Sequence, residues 1–358
     1  MRVETESQLA EAIRAADGAL QIVGGGSRPV GGRSGAPLHV AISGITLYEP
    51  GALTLIAGAG TTLAEIEAAV AAEGQRLPFE PARWGALLGA AGDSTIGGVV
   101  AANVSGPRRV QAGACRDSLI GLRFVDGAGT VIKNGGRVMK NVTGYDLVKL
   151  MAGSWGTLGA MSEVAFKLLP AAPAQATVVL DIPAAQAPAA LAMALGSPFD
   201  VSGAGWLPGV GAVVRIEGLA ESVAYRAARL ADLLAPHGAR IERDGSAQIW
   251  ADLAAVAPFQ GRAGDIWRFS VKPSDAPAII ARLGGEVVLD WGGGLIWALL
   301  PEGTDARVLA APYSGHATCL RGETAPAFEP EPAPVAALSR GLRARFDPRG
   351  ILNPGRMG

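Results

Sequence analysis

Ile22-Val23-Gly24-Gly25-Gly26-Ser27-Arg28-Pro29 is the stretch that decides how this chain is read. Ala19 to Val23 is a short apolar run of the kind that makes a buried strand, and it breaks at once into three glycines. Glycine has no Cβ and accepts positive φ, so its backbone N–H groups can come close to a ligand. A concave row of such groups is a nest for an anion. Ser27 adds a hydroxyl and Arg28 a fixed positive fork, both suited to phosphate oxygens. A Rossmann fingerprint needs G-x-G-x-x-G opening a helix. Gly24 and Gly26 fit it, but the third position is Pro29, and Val30-Gly31-Gly32-Arg33-Ser34-Gly35 cannot be a helix interior. The stretch is a phosphate loop of another kind, or a glycine-rich turn between strands.

Around it the pattern is mixed. Thr5 and Gln8 make a capping box for a helix over 5–17, and Thr62 with Glu65 repeats it for a helix over 63–73. Strands are expected over 38–42 and 53–57. Gly89 to Asn103 is almost all small residues, with Thr95 as a candidate cap. Such a run lets a flat ligand lie against the backbone, or lets elements pack tightly. Leu119–Val125 and Thr130–Lys133 flank Asp126-Gly127-Ala128-Gly129, a hairpin signal. A short helix over 146–151, a glycine cluster at 153–159 and a strand over 161–168 follow. Pro170 and Pro173 mark a boundary. Beyond it, strands (176–182, 212–217, 266–271, 287–289, 295–300) alternate with helices (187–195, 222–234, 275–283), an α+β texture without a catalytic constellation. Residues 325–334 read as a surface connection and 335–346 as a last helix.

The 358 residues suffice for two domains and a sizeable core. With 49% hydrophobic and 18% charged residues the chain is globular. A net charge of −1 gives no electrostatic case for nucleic acid. Two cysteines, Cys115 and Cys319, and three scattered histidines show no disulfide framework and no metal-ligand spacing. Neither a signal peptide nor an apolar run of about twenty residues is visible. The expected location is the cytoplasm, with peripheral attachment to the inner face of the membrane through partners left open.

In order along the chain, the glycine loop at 24–28, the 95–102 segment, Gly144-Tyr145-Asp146-Leu147, Gly156-Thr157-Leu158-Gly159 and the closing Asp347-Pro348 and Asn353-Pro354-Gly355 resemble the FAD-binding domain of the vanillyl-alcohol oxidase superfamily. Ser105 to Arg109, Met139-Lys140-Asn141-Val142 and Asp290-Trp291-Gly292-Gly293 resemble, more narrowly, the FAD-binding subunits of bacterial glycolate oxidases. The resemblance implies an α+β chain with three parts. A PCMH-type FAD-binding domain of two α/β subdomains would span 1–170, a smaller α+β cap domain 171–334, and a C-terminal helix and tail, 335–358, would pack back on the FAD domain. It implies FAD held by Gly24, Gly25, Gly26, Ser27 and Arg28 at the pyrophosphate. Pro81, Gly92, Asp93, Ser94, Thr95, Gly97 and Gly98 would line flavin and pyrophosphate. Ala101, Ala102 and Ser105 would lie near the ring or ribityl chain, and Gly156, Gly159 and Met161 near the adenine. Arg28 occupies the place where some members carry a flavin-linked histidine, which implies noncovalent FAD. The histidine-rich metal motif of related D-2-hydroxy-acid dehydrogenases is missing, so no metal is expected and no catalytic residue is assigned. The implied activity is electron relay within a complex that oxidises glycolate to glyoxylate. Its implied partners are a homologous FAD subunit with the substrate site and an iron–sulfur subunit. Alternatives are an autonomous 2-hydroxy-acid dehydrogenase and a non-redox flavin scaffold. Arg108, Arg109 and Arg116 are candidate carboxylate contacts, and Tyr145, Lys140 and His316 candidate acid–base groups. For Tyr145 a core hydrogen bond, for His316 a structural role, and for Trp155 and Trp291 packing are the competing readings.

Overall fold

The computed structural model describes residues 1–136, 144–322 and 326–357. Three sheets carry the architecture among these residues. Arg2–Val3, Ala36–Val40 and Leu20–Val23 form a parallel sheet in the order first, third, second. Ile45–Glu49, Thr54–Gly58, Ala160–Lys167, Leu119–Val125 and Val131–Gly135 form an antiparallel sheet in that spatial order. Eight antiparallel strands drawn from residues 174–321 make the third.

Local chemistry explains the elements around the first two sheets. Thr5 and Gln8 close the capping box that starts the Glu6–Arg14 helix, whose Leu9, Ala10 and Ile13 are buried. The Thr62 side chain accepts the Glu65 amide, and the Leu63–Ala72 helix buries Leu63, Ile66 and Val70. The Thr95 hydroxyl accepts the Gly98 amide and starts the six-residue Ile96–Ala101 helix. Each cap satisfies an amide that a helix start leaves without a partner.

The expected strands and helices of 174–300 are present within a few residues, but several elements after residue 174 were not anticipated, the short Ala306–Ala310 helix among them. Val201–Leu207 is a strand despite Ser202, Gly203 and Gly205, because Gly203 lies under the Trp250 indole and Gly205 under Leu253. Ala239–Glu242 and Gly315–Arg321 are the two edge strands of the third sheet, and Ser246–Ala255 is a helix.

The chain returns on itself as the tail resemblance implied. Ile351 O accepts the Leu20 amide at 2.7 Å, and the Asn353 amide donates to Leu20 O at 2.9 Å. Arg349 ties the tail to the carbonyls of Gly127, Arg14 and Ala16. By contrast, the Ala333–Phe346 helix buries none of its residues.

Candidate functional site

The strand Leu20–Val23 ends at the mouth of a cleft, and the glycine loop forms one wall of it. Gly24, Gly25, Gly26, Ser27, Arg28, Thr95, Gly97, Gly98, Ala101, Gly156, Gly159 and Met161, all implied as cofactor contacts, line this one space. Three segments far apart in sequence, 24–28, 95–101 and 156–161, thus meet at one surface. Pro81, Gly92, Asp93, Ser94, Ala102 and Ser105 do not line it. Ser94 stands behind the wall, its hydroxyl accepting from Arg28 Nη2 at 2.8 Å. The Ser105 hydroxyl accepts the Cys115 amide at 2.9 Å and is buried.

The glycines divide into two kinds. A Cβ on Gly25 would sit 1.7 Å from Asp93 O, and one on Gly92 1.7 Å from Gly25 O. Two loops therefore pass in backbone contact, and neither glycine leaves room for a side chain. Gly26 has φ +73° and open space where a side chain would be. Among the described residues, the amides of Gly25, Gly26, Ser27 and Arg28 have no acceptor in hydrogen-bond range. The nest is real at its far end. The amides that open the Ile96–Ala101 helix are already taken: Ile96 donates to Thr61 O, Gly97 to Ala59 O and Gly98 to the Thr95 hydroxyl.

The cleft is cationic. Arg28, Arg33 and Arg356 line it, and among the described residues no acidic one does. Among the described residues none of the three forms an ion pair. Arg28 donates through Nη2 to Ala82 O and Ser94 Oγ, and its buried Nε has no partner. Burial pushes its guanidinium down to about 10. Burial, and then repulsion from Arg33, also lowers Arg356, whose Nε is likewise orphaned. A guanidinium held out of water without a counter-charge is costly unless an anion joins it.

Asn353 braces the cleft. Its Oδ1 accepts the Ile22 amide and its Nδ2 donates to Trp155 O, both at 2.8 Å. The strand before the glycine loop and the segment leading to Gly156 are thus fixed to one side chain. Trp155 lines the cleft and meets Phe328 edge-on at 5.3 Å. Arg356 and Asn353 carried no sequence signal of their own beyond the closing Asn-Pro-Gly, since only the folded tail brings them here.

A second charged region lies between the first two sheets and the third. Arg215 grips Glu80 with two hydrogen bonds of 2.8 Å. Arg108 grips Glu217 at 3.0 and 2.7 Å, and Arg76 joins Glu217 at 2.7 Å. Burial works to raise both carboxyls, but the surrounding guanidiniums outweigh it and hold both below the ordinary range. Arg108, a candidate carboxylate contact, is therefore spent on Glu217. Tyr145 is 89% exposed, which overturns the reading of a core hydrogen bond. Exposure at that level leaves no wall for its hydroxyl to bond through. Arg116 is exposed near Asp117. Lys140, with the rest of Met139–Val142, lies outside the described residues. Cys115 and Cys319 are free and buried.

Comparison with known proteins bears on this geometry. Residues 1–135 match the family model of an FAD binding domain. Glycolate oxidase subunit GlcE of Escherichia coli (strain K12) is 37% identical over 316 residues, 88% of this chain and 84% of the relative. This chain belongs to the glycolate oxidase subunit family of FAD-linked oxidoreductases. Other relatives match shorter stretches of this chain. Glycolate oxidase subunit GlcD of Bacillus subtilis (strain 168) is 47% identical over 77 residues, 22% of this chain and 16% of that one. D-lactate dehydrogenase of Archaeoglobus fulgidus is 34% identical over 115 residues, 32% of this chain and 24% of that one. An alkyldihydroxyacetonephosphate synthase structure superposes with a TM-score of 0.72 at 16% identity, covering 99% of this chain and 76% of that one, which shows a shared fold. The family's α+β, PCMH-like fold and FAD cofactor are those of this chain. Among the described residues no helix is long and apolar enough to cross a membrane.

Proposed function

We propose that the cationic cleft holds FAD noncovalently and that the chain is the relay subunit of a complex oxidising glycolate to glyoxylate. The observation that carries the FAD site is the cleft's unanswered positive charge: Arg28 and Arg356 with orphaned Nε atoms beside a row of free amides. A pyrophosphate supplies the two negative charges this wall lacks. In this reading Gly26, Ser27, Arg28, Arg33 and Arg356 bind the pyrophosphate, and Gly97, Gly98 and Ala101 offer a wall low enough for a flat ring. Asn353 orients both walls. Gly25, Gly92 and Ser94 act at one remove by holding the loops. FAD, when bound, supplies reversible uptake and release of electrons.

The relay reading is supported by the name of the Escherichia coli relative, a subunit, and by its likeness over most of the chain. It places the substrate site on a homologous flavin subunit and the onward step on an iron–sulfur subunit, with membrane attachment through those partners. We assign the parts as 1–170 for FAD, 171–334 for the cap and 335–358 for the returning tail.

The test is anaerobic. The chain alone, loaded with FAD, is mixed with glycolate or D-lactate while the oxidised flavin band is followed. No bleaching alone, with reduction on adding the partner flavin subunit, is expected. Prompt bleaching of the chain alone would place substrate oxidation here and sink the relay.

A further inference from the structure

Arg28 rests on the segment 80–88, and that segment is attached to the third sheet. Arg28 Nη2 donates to Ala82 O at 3.0 Å, and its Cζ lies 5.6 Å from the centre of the Trp84 ring. Ala82 and Trp84 are both buried. The sheet meets the segment at three places. At its start, Arg215 of the strand Gly211–Gly218 donates to both carboxylate oxygens of Glu80 at 2.8 Å. In its middle, Trp297 of the strand Leu295–Leu300 meets the Trp84 ring edge-on at 5.6 Å. At its end, Arg321 of the strand Gly315–Arg321 donates through Nη1 to Leu87 O at 3.0 Å.

Glu80 is the strained point of this segment. Its φ is +50°, directly before Pro81. A side chain disfavours that left-handed region, and such a conformation persists only where the surroundings impose it. Here they do so from two sides. The carboxylate gripped by Arg215 also accepts the Arg108 amide at 2.9 Å. The Glu80 carbonyl lies against Gly106, where a Cβ would come within 2.2 Å of its oxygen. The direction in which the chain leaves Glu80 sets where Ala82 O stands, two residues on.

A guanidinium fork grips an oxyanion well only when its plane is fixed. The plane of Arg28 is set by Ala82 O, the Trp84 ring and the Ser94 hydroxyl, while its buried Nε has no partner. We propose that Glu80, Arg215 and Arg321 are positioning residues for the cofactor: they hold the 80–88 segment so that Arg28 faces the pyrophosphate. The inference rests on the FAD reading of the cleft. It adds that the grip on the phosphates is set by a sheet that, among the described residues, contributes nothing to the cleft lining. Glu217 offers the contrast. Its carboxylate hydrogen-bonds to Arg108 and Arg76 and not to the 80–88 segment.

The experiment strips the full chain of FAD and titrates FAD back, with flavin fluorescence giving Kd. E80Q and R321M should each weaken FAD by about tenfold, while E217Q, which loosens the same ionic cluster, stays within about threefold of the wild type. Coupling to Arg28 is the decisive readout. In an R28M background, E80Q and R321M should each add less than about twofold, because the residue they position is gone. A general loosening of the fold would instead add its full factor on top of R28M. If E80Q does not fold, R321M carries the same comparison. FAD affinity within about threefold of the wild type in the folded variants, a loss in E217Q as large as in E80Q, or full additivity with R28M would each overturn the proposal. Unchanged affinity in R28M itself would bring down the reading of Arg28 as a pyrophosphate contact, and this inference with it, so the two failures are told apart by the single variant.

Discussion

Arg108 and Arg215 are buried, and each is clasped by a carboxylate; Arg28 and Arg356 flank a cleft and among the described residues have none. The same side chain serves opposite ends. Where Glu80 and Glu217 complete the charge, the arginines fasten the third sheet to the rest of the chain. Where no acid follows, the protein is left tuned for an anion from outside. Pairing, rather than burial or residue type, separates scaffold from site.

The sharpest way to break this comparison is to remove a partner from the paired region. E217A strands Arg108 and Arg76 and should cost about 3–5 kcal/mol in chemical denaturation. A loss below about 1 kcal/mol would mean that water replaces Glu217 and that the pairing is not structural. The unpaired region should respond in the other currency. R28M should weaken FAD binding by about 10–100-fold, read by fluorescence titration, as expected for lost hydrogen bonds to a charged group. Its apo stability should stay within about 1 kcal/mol, because relief of a buried charge offsets the lost bonds to Ala82 O and Ser94 Oγ.

Acidity acts with opposite signs on the paired carboxylates and on Asp290 beside them. Glu80 and Glu217 have folded pKa values below the ordinary range, so their contribution is complete above about pH 4–5 and is lost as the pH falls through the folded values. Asp290 is raised to about 7, so it favours the fold while protonated and its contribution is lost as the pH rises from about 4 to 7. D290N should therefore exceed the wild type in stability by about 1–3 kcal/mol at pH 8, with the gap closing toward pH 4. A gap independent of pH would exclude titration of Asp290 as its source. The smallest expected effect is that of N353A, about 1–2 kcal/mol for two lost hydrogen bonds, accompanied by weaker FAD binding. Unchanged FAD affinity would show that the tail braces the fold but not the cleft.

The sequence spoke most clearly where the chemistry is local. Thr5, Thr62 and Thr95 cap helices because a hydroxyl meets an amide three residues on, and that spacing is written in the chain. The order of the glycine clusters marked the FAD domain only through its resemblance to a known family. Gly25 and Gly92 were legible as close-approach positions, but not that they approach each other. Arg356 was illegible as a site residue because its meaning comes from Arg28, 328 positions away. Val201–Leu207 was missed because its glycines lack strand propensity, and the indole lying on Gly203 is a tertiary fact.

Asn353 reaches back 331 positions to the Ile22 amide. At about 5–20 residues per second, a ribosome makes that brace on the order of 15–70 s after the strand it holds. The nascent glycine loop must wait, unbraced, through the synthesis of the whole third sheet. The brace on the cleft is thereby tied to the end of translation, and a chain interrupted before Asn353 would lack the bonds that fix Ile22 and Trp155 to one side chain.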